Sequence, residues 1–290
     1  MSMGQKIAAL IVLILLLVLC ISLGSRYTGY ESQTRLPENE KEANEKFSYI
    51  ALTDADRNDS VSGTKEIDLG TASDPLEISS GGSYVLSGNY EGTIVVNAKD
   101  EIVRLILSGA SVKSNSGSAI NVVDAAKVII TSAEGTENSL TDSGHYDAKE
   151  DPDATVYSVC DLTFNGTGSL EIHGLYDDAV HCKDVLRVAD GRYRVFCKRS
   201  ALRGNDGVHI DGGTIFLESE RYGVRTTKSG ENGRGDILIS GGTVSIVAGR
   251  YALAADRGGM YAYDCSLQMN SVISDYDVKG VTVIADGCVK

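Results

Sequence analysis

Near the middle of the chain one short run gathers the side chains with the most evident chemistry: Asp177, Asp178, Ala179, Val180, His181, Cys182, Lys183 and Asp184. Twenty-two positions beyond Lys183 and Asp184 stand Asn205 and Asp206. Oxygen donors of this kind suit a hard cation such as calcium, so Asp177, Asp178, Asp184, Asn205 and Asp206 are the candidate metal ligands. The alternative is that these Asp and Asn residues only shape turns. A weaker acidic candidate lies in the segment 136 to 156, with Asp142, Asp147, Glu150, Asp151 and Asp153; its alternative is a solvated loop. Cations recur at the same interval. Arg199, Arg221 and Arg250 follow Asp177 at steps of 22, 22 and 29 residues, while Ser200, Tyr222 and Tyr251 follow Asp178, and Arg203 and Arg225 follow His181.

Those intervals mean something only if the chain repeats in space. The small residues Ala179, Ala201, Gly223 and Ala252 keep the same 22, 22 and 29 spacing, and the long step contains the polar insert SGENGRG at 229 to 235. The same phrase recurs upstream around Ala119 and around Ser158. Between these points lie short runs rich in β-branched residues, such as VRLILSG at 103 to 109 and DILIS at 236 to 240, with glycine pairs at 81–82, 212–213 and 241–242 to turn the corners. A strand set this short cannot bury its apolar side alone, whereas stacked coils make one continuous interior. The predicted fold is all-β: a single-stranded parallel β-helix over residues 64 to 290, of about ten coils at about 4.8 Å per rung. An antiparallel sandwich has no need of such a period.

In that arrangement Asp177, Arg199, Arg221 and Arg250 form a solvent-facing column. Like charges one rung apart repel, so an arginine column is easiest to keep where an anion lies along it. Arg199, Arg203, Arg221, Tyr222, Arg225, Arg250 and Tyr251 are therefore the candidate glycan-binding residues, guanidinium forks taking uronate carboxylates and tyrosine faces packing on sugar rings. The alternative is a solvated ladder relieved by Asp177, Glu218 and Glu220.

Composition sets the wider frame. The 290 residues include 42% hydrophobic, 32 Gly, 3 Pro and no Trp, and carry a formal charge of −13. Residues 27 to 160 hold 23 acids against 10 bases, and residues 161 to 260 hold 13 of each. Such a balance excludes a nucleic-acid partner, which needs a basic face. Residues 7 to 23 are seventeen uncharged residues between Lys6 and Arg26, a signal peptide or uncleaved signal anchor within 1 to 25. This places the rest outside the cytoplasm, with membrane contact through that segment only. Residues 26 to 63 read as a polar stalk. The five later cysteines, an odd number, match no zinc template and read as buried hydrophobes with one disulfide at most. Open solenoid ends also allow end-to-end self-association.

The stretches SYVLSGNYEGTIVVNA (83 to 98), VRLILSGASVKSNSGSAINVVDAAKVIITSAEGTENSLTDS (103 to 143), DLTFNGTGSLEIHG (161 to 174) and DDAVHCKDVLRV (177 to 188) resemble the bacterial exported carbohydrate-binding domain-containing proteins. These are similar in fold to family 9 polysaccharide lyases. The resemblance implies a right-handed parallel β-helix that binds calcium and an acidic or cellulosic polysaccharide without an established catalytic cycle. Only Asp177–Asp184 keeps the family's coil phrase in full; later coils replace its acidic pair by Arg199 and Ser200, Arg221 and Tyr222, and Arg250 and Tyr251. The runner-up is a calcium-dependent lyase, with Lys183 or, second, His181 as the base. A third reading is a structural, self-assembling surface protein.

Overall fold

A computed structural model describes residues 45–61, 65–146, 152–228 and 234–290. The expected signal or anchor segment and most of the stalk lie outside them. No helix among the described residues is long and apolar enough to cross a membrane. Among the described residues, twenty-three strands pair in parallel throughout. They form the three sheets of a parallel β-helix, and the long strands Gly82–Glu91, Ile94–Lys113 and Ile120–Ser132 each run through more than one sheet. Sheet 1 stacks Ala154–Ser158, Asp178–Cys182, Ser200–Gly204, Tyr222–Thr226, Tyr251–Ala255 and Ser274–Val278. Sheet 2 runs through Asp161–Gly166, Val185–Val188, Gly207–Ile210 and Asp236–Ile239. Sheet 3 runs through Ser169–Gly174, Arg192–Cys197, Thr214–Ser219 and Thr243–Ala248. Nine successive pairings along sheet 2 link ten segments, so ten rungs are present as expected.

Register makes the spacing physical. Val180 pairs Leu202, Leu202 pairs Val224 and Val224 pairs Leu253, which puts Ala179, Ala201, Gly223 and Ala252 in one buried column. Gly223 cannot be alanine there, because an added Cβ would lie 2.3 Å from Ile246 Cγ2 and 2.6 Å from the Ala252 carbonyl oxygen. Upstream the alignment shifts. Val180 pairs Val156, so the position above Ala179 belongs to Thr155, while Ser158 pairs Cys182 near the strand's end. Inward Val, Ile and Leu from all three sheets form one continuous core, each fully buried side chain contributing about 1.5–3 kcal/mol. All five later cysteines are free thiols, and burial pushes the thiols of Cys160, Cys182, Cys197 and Cys265 up, away from reactivity.

Residues 45 to 61, read from the sequence as stalk, lie across the outer face of sheet 2. Phe47 and Ile50 pack with Val185, Leu238 and Tyr261. The Arg187 guanidinium donates to the carbonyls of Tyr49, Ile50 and Ala51 and to Asp161. Asp56, in the short helix Asp54–Arg57, is fully buried and accepts from Lys127, Thr163 and Thr53. Burial raises its carboxyl, but these donors outweigh burial and bring it down to about 2. Polar anchors of this kind leave no hydropathy pattern, which is why the segment resembles a stalk in sequence.

Candidate functional site

The candidate site lies along the outer face and leading corner of sheet 1. Asp178 opens its strand with no exposed surface. One carboxylate oxygen accepts the Ser200 N–H at 2.8 Å and the other accepts Arg203 Nη1 at 3.0 Å. Arg203 Nη1 also reaches Asp153 at 3.2 Å, and His181 Nδ1 bonds the other Asp153 oxygen at 2.5 Å. Asp153, Asp178 and His181 thus bring one ligand atom each within 4.8 Å of one another, a triad chemically able to hold a metal ion. Arg203 stands against both carboxylates, so a metal ion here competes with a guanidinium already in place. Burial raises the Asp178 carboxyl, with Arg203 opposing and Asp153 and Asp177 adding to the rise. Burial also pushes Asp153 up, yet its bond to His181 and the charges of His181, Arg203 and Arg199 carry it below the ordinary range. At the adjoining corner Asp177 pairs Arg199 at 2.9 Å.

The five predicted metal ligands divide into two groups. Asp177 and Asp178 stand at the start of the strand Asp178–Cys182, and Asp184 lies past its end. Five residues of strand separate them by about 16 Å. At that far corner Asn205 accepts from Thr227 Oγ1 at 2.6 Å, and Asp206 pairs Lys228 at 2.8 Å and Arg234 at 2.6 Å. Burial, with the nearby charges of Asp161 and Asp206, raises the Asp184 carboxyl. Lys183 is exposed at the same corner, while His181 is buried against Tyr157 with ring centroids 5.3 Å apart.

Within the acidic segment 136 to 156, Asp147, Glu150 and Asp151 lie outside the described residues. Asp142 is buried and accepts the N–H groups of Gly144 and Leu175, closing a turn. Asp153 belongs in sequence to that weaker acidic segment, yet it stands immediately before the strand ATVYS as Asp177 stands before its own, since Ala154 pairs Asp178.

The arginine and tyrosine columns stack as their spacing predicts, but their members have different surroundings. Arg199 and Arg203 are held by Asp177, Asp178 and Asp153. Arg225 pairs Asp256 at 2.9 Å and lies 4.6 Å from the Tyr222 ring centroid. Tyr222 and Tyr251 stack on adjacent coils with centroids 6.1 Å apart and planes 18° apart. Arg221 and Arg250 are exposed, and no described carboxylate forms an ion pair with either.

The fold is also that of the polysaccharide lyase-like protein from C. thermocellum. That structure, a gadolinium derivative, superposes with a TM-score of 0.73 and 26% identity over 78% of this chain and 98% of its own. The profile of the carbohydrate-binding domain-containing proteins matches residues 73–283, and the chain belongs to that family. A relative of the same description from Acetivibrio thermocellus is 29% identical over 144 residues, which is 48% of this chain and 50% of the relative. The match therefore spans half of that protein.

Proposed function

We propose that this protein is a non-catalytic, extracytoplasmic polysaccharide-binding β-helix that takes an acidic glycan along the downstream half of sheet 1. The observation that carries the reading, beside membership in a carbohydrate-binding family, is the pair Arg221 and Arg250, exposed next to stacked Tyr222 and Tyr251. Guanidinium groups without a carboxylate of their own are free to meet uronates, and the tyrosines supply flat apolar surface for sugar rings. Calcium belongs to this reading only at Asp153, Asp178 and His181, where it must displace Arg203. Calcium also prefers oxygen to imidazole nitrogen. End-to-end association is a further part, favoured by the last described coils, where Val272 is 81% exposed and Ile273, Val281 and Val289 are exposed as well.

Retention on immobilised polygalacturonate tests the proposal. Arg221→Ala with Arg250→Ala should lose most retention while keeping the thermal midpoint, and retention equal to the parent sinks it. Running the same assay with calcium or a chelator reads the metal component. Growth of unsaturated-product absorbance that Lys183→Ala abolishes would replace the binder by a lyase. Elution volume across a concentration series reads self-association.

A further inference from the structure

Of the three outer faces, sheet 2 is covered by residues 45 to 61 and sheet 1 carries the charge network. Sheet 3 instead presents a groove of about 820 Å³. Its central column is Ser111, Ser139, Glu171, Arg194, Phe216 and Ser245, one residue per coil in register. Six rungs at the spacing of adjacent strands give a track of about 24 Å, the length of an oligosaccharide rather than of one sugar.

The lining has a definite chemistry. Its charged residues, among those described, are two glutamates and two arginines, which cancel. Glu171 is moreover occupied, with His173 Nε2 at 2.6 Å and Arg194 Nε at 3.7 Å. Six Ser and Thr residues are the largest group in the remaining floor, with Thr214 and Thr243 exposed beside the central column. A hydroxyl both donates and accepts, and so matches a ligand made of hydroxyls. One ring, that of Phe216, stands in the central column. His173 and Phe196 stack face to face at 5.2 Å and 11°, but Phe216 lies tilted by 57° to Phe196 and opens no further stack, since Ser245 stands on the next coil. The side of Phe216 toward that coil is therefore bordered by a small hydroxyl residue within the groove.

We propose that the sheet 3 groove is a second glycan site, for an uncharged polysaccharide chain lying along the solenoid axis with a sugar ring against Phe216. It rests on the polysaccharide-binding reading but on a different face, and its balanced charge gives a uronate chain no net attraction. A two-face protein of this kind holds acidic and neutral chains at once.

The test is calorimetric titration of the full-length chain, in detergent micelles, with cellohexaose, xylohexaose and mannohexaose. At least one should bind, and Phe216→Ala should weaken it about tenfold or more, as loss of a central aromatic contact does. Phe216→Leu keeps the apolar volume and should weaken it likewise, which separates loss of the ring from loss of the fold. Binding should persist in about 0.5 M salt, where exposed ion pairs are screened, and in the Arg221→Ala, Arg250→Ala variant. The proposal is overturned if no hexasaccharide binds, if Phe216→Leu binds as the parent does, or if salt or the double arginine variant abolishes binding. Polygalacturonate retention by the double arginine variant remains the separate measure of the acidic-glycan reading.

Discussion

The two halves of sheet 1 carry the same columns to opposite ends. Upstream, Asp153, Asp178, His181 and Arg203 are largely withdrawn from water and bound to one another. Downstream, Arg221 and Arg250 occupy the positions of Asp177 and Arg199, yet they stand exposed and unopposed. A β-helix imposes nearly identical backbone geometry on every coil, so the identity of the next rung decides what a side chain does. Where an acid meets an arginine one coil away the pair becomes structure, and where arginine meets arginine the charge stays available to a ligand.

That contrast can be broken first at Asp178. Asp178→Ala removes an acceptor from Arg203 and from the Ser200 N–H in a buried setting, and should cost about 3–5 kcal/mol in denaturant unfolding. A loss under 1 kcal/mol would mean the upstream network is as solvated as the downstream one.

Acid supplies the next largest effect, on the neighbouring sheet, where the same rule governs the covering segment. His209 bonds the Ile50 carbonyl and Ser240, and burial lowers its pKa from 6.5 to about 4. The unfolded chain therefore binds the extra proton between about pH 6.5 and pH 4, and stability should fall across that window by about 3 kcal/mol, then level off below it. His209→Gln should flatten that part of the stability–pH curve. An unchanged slope would remove His209 as its source.

Between the two halves of sheet 1 sits Gly223. Gly223→Ala forces Cβ against Ile246 and the Ala252 carbonyl, and should cost about 1–3 kcal/mol. It should also disturb the adjoining Tyr222–Tyr251 stack, seen as a change in tyrosine near-ultraviolet dichroism. The smallest effect on stability belongs to Arg221→Ala with Arg250→Ala, within about 0.5 kcal/mol of the parent because both side chains are exposed and unpaired. A large destabilisation by this pair would assign them to the fold rather than to a ligand.

Much of this was legible in the residue order. The 22-residue steps fixed which side chains share a column, and register bears out the placement of Ala179 with Ala201, Gly223 and Ala252. The proposed cation cluster was less legible. Asp178 and Asp184 are close in sequence, but an extended strand holds them at opposite edges of a sheet. Asp153, from the preceding coil, comes to Asp178 and His181 because Ala154 pairs with Asp178, a register that nothing near Asp178 in sequence announces. The covering segment and the sheet 3 groove were hidden for a related reason: both depend on which outer face is left open, and strand periodicity describes only the face turned inward.

Sequence alone, then, determined the repeat, the apolar interior and the columns, since all three follow from a period and from alternation along a strand. Tertiary structure decided which charges in those columns are spent on neighbours and which remain for a ligand. That outcome depends on distances of a few ångströms between residues contributed by separate coils, and on the burial that strengthens each contact, and neither is set by position along the chain.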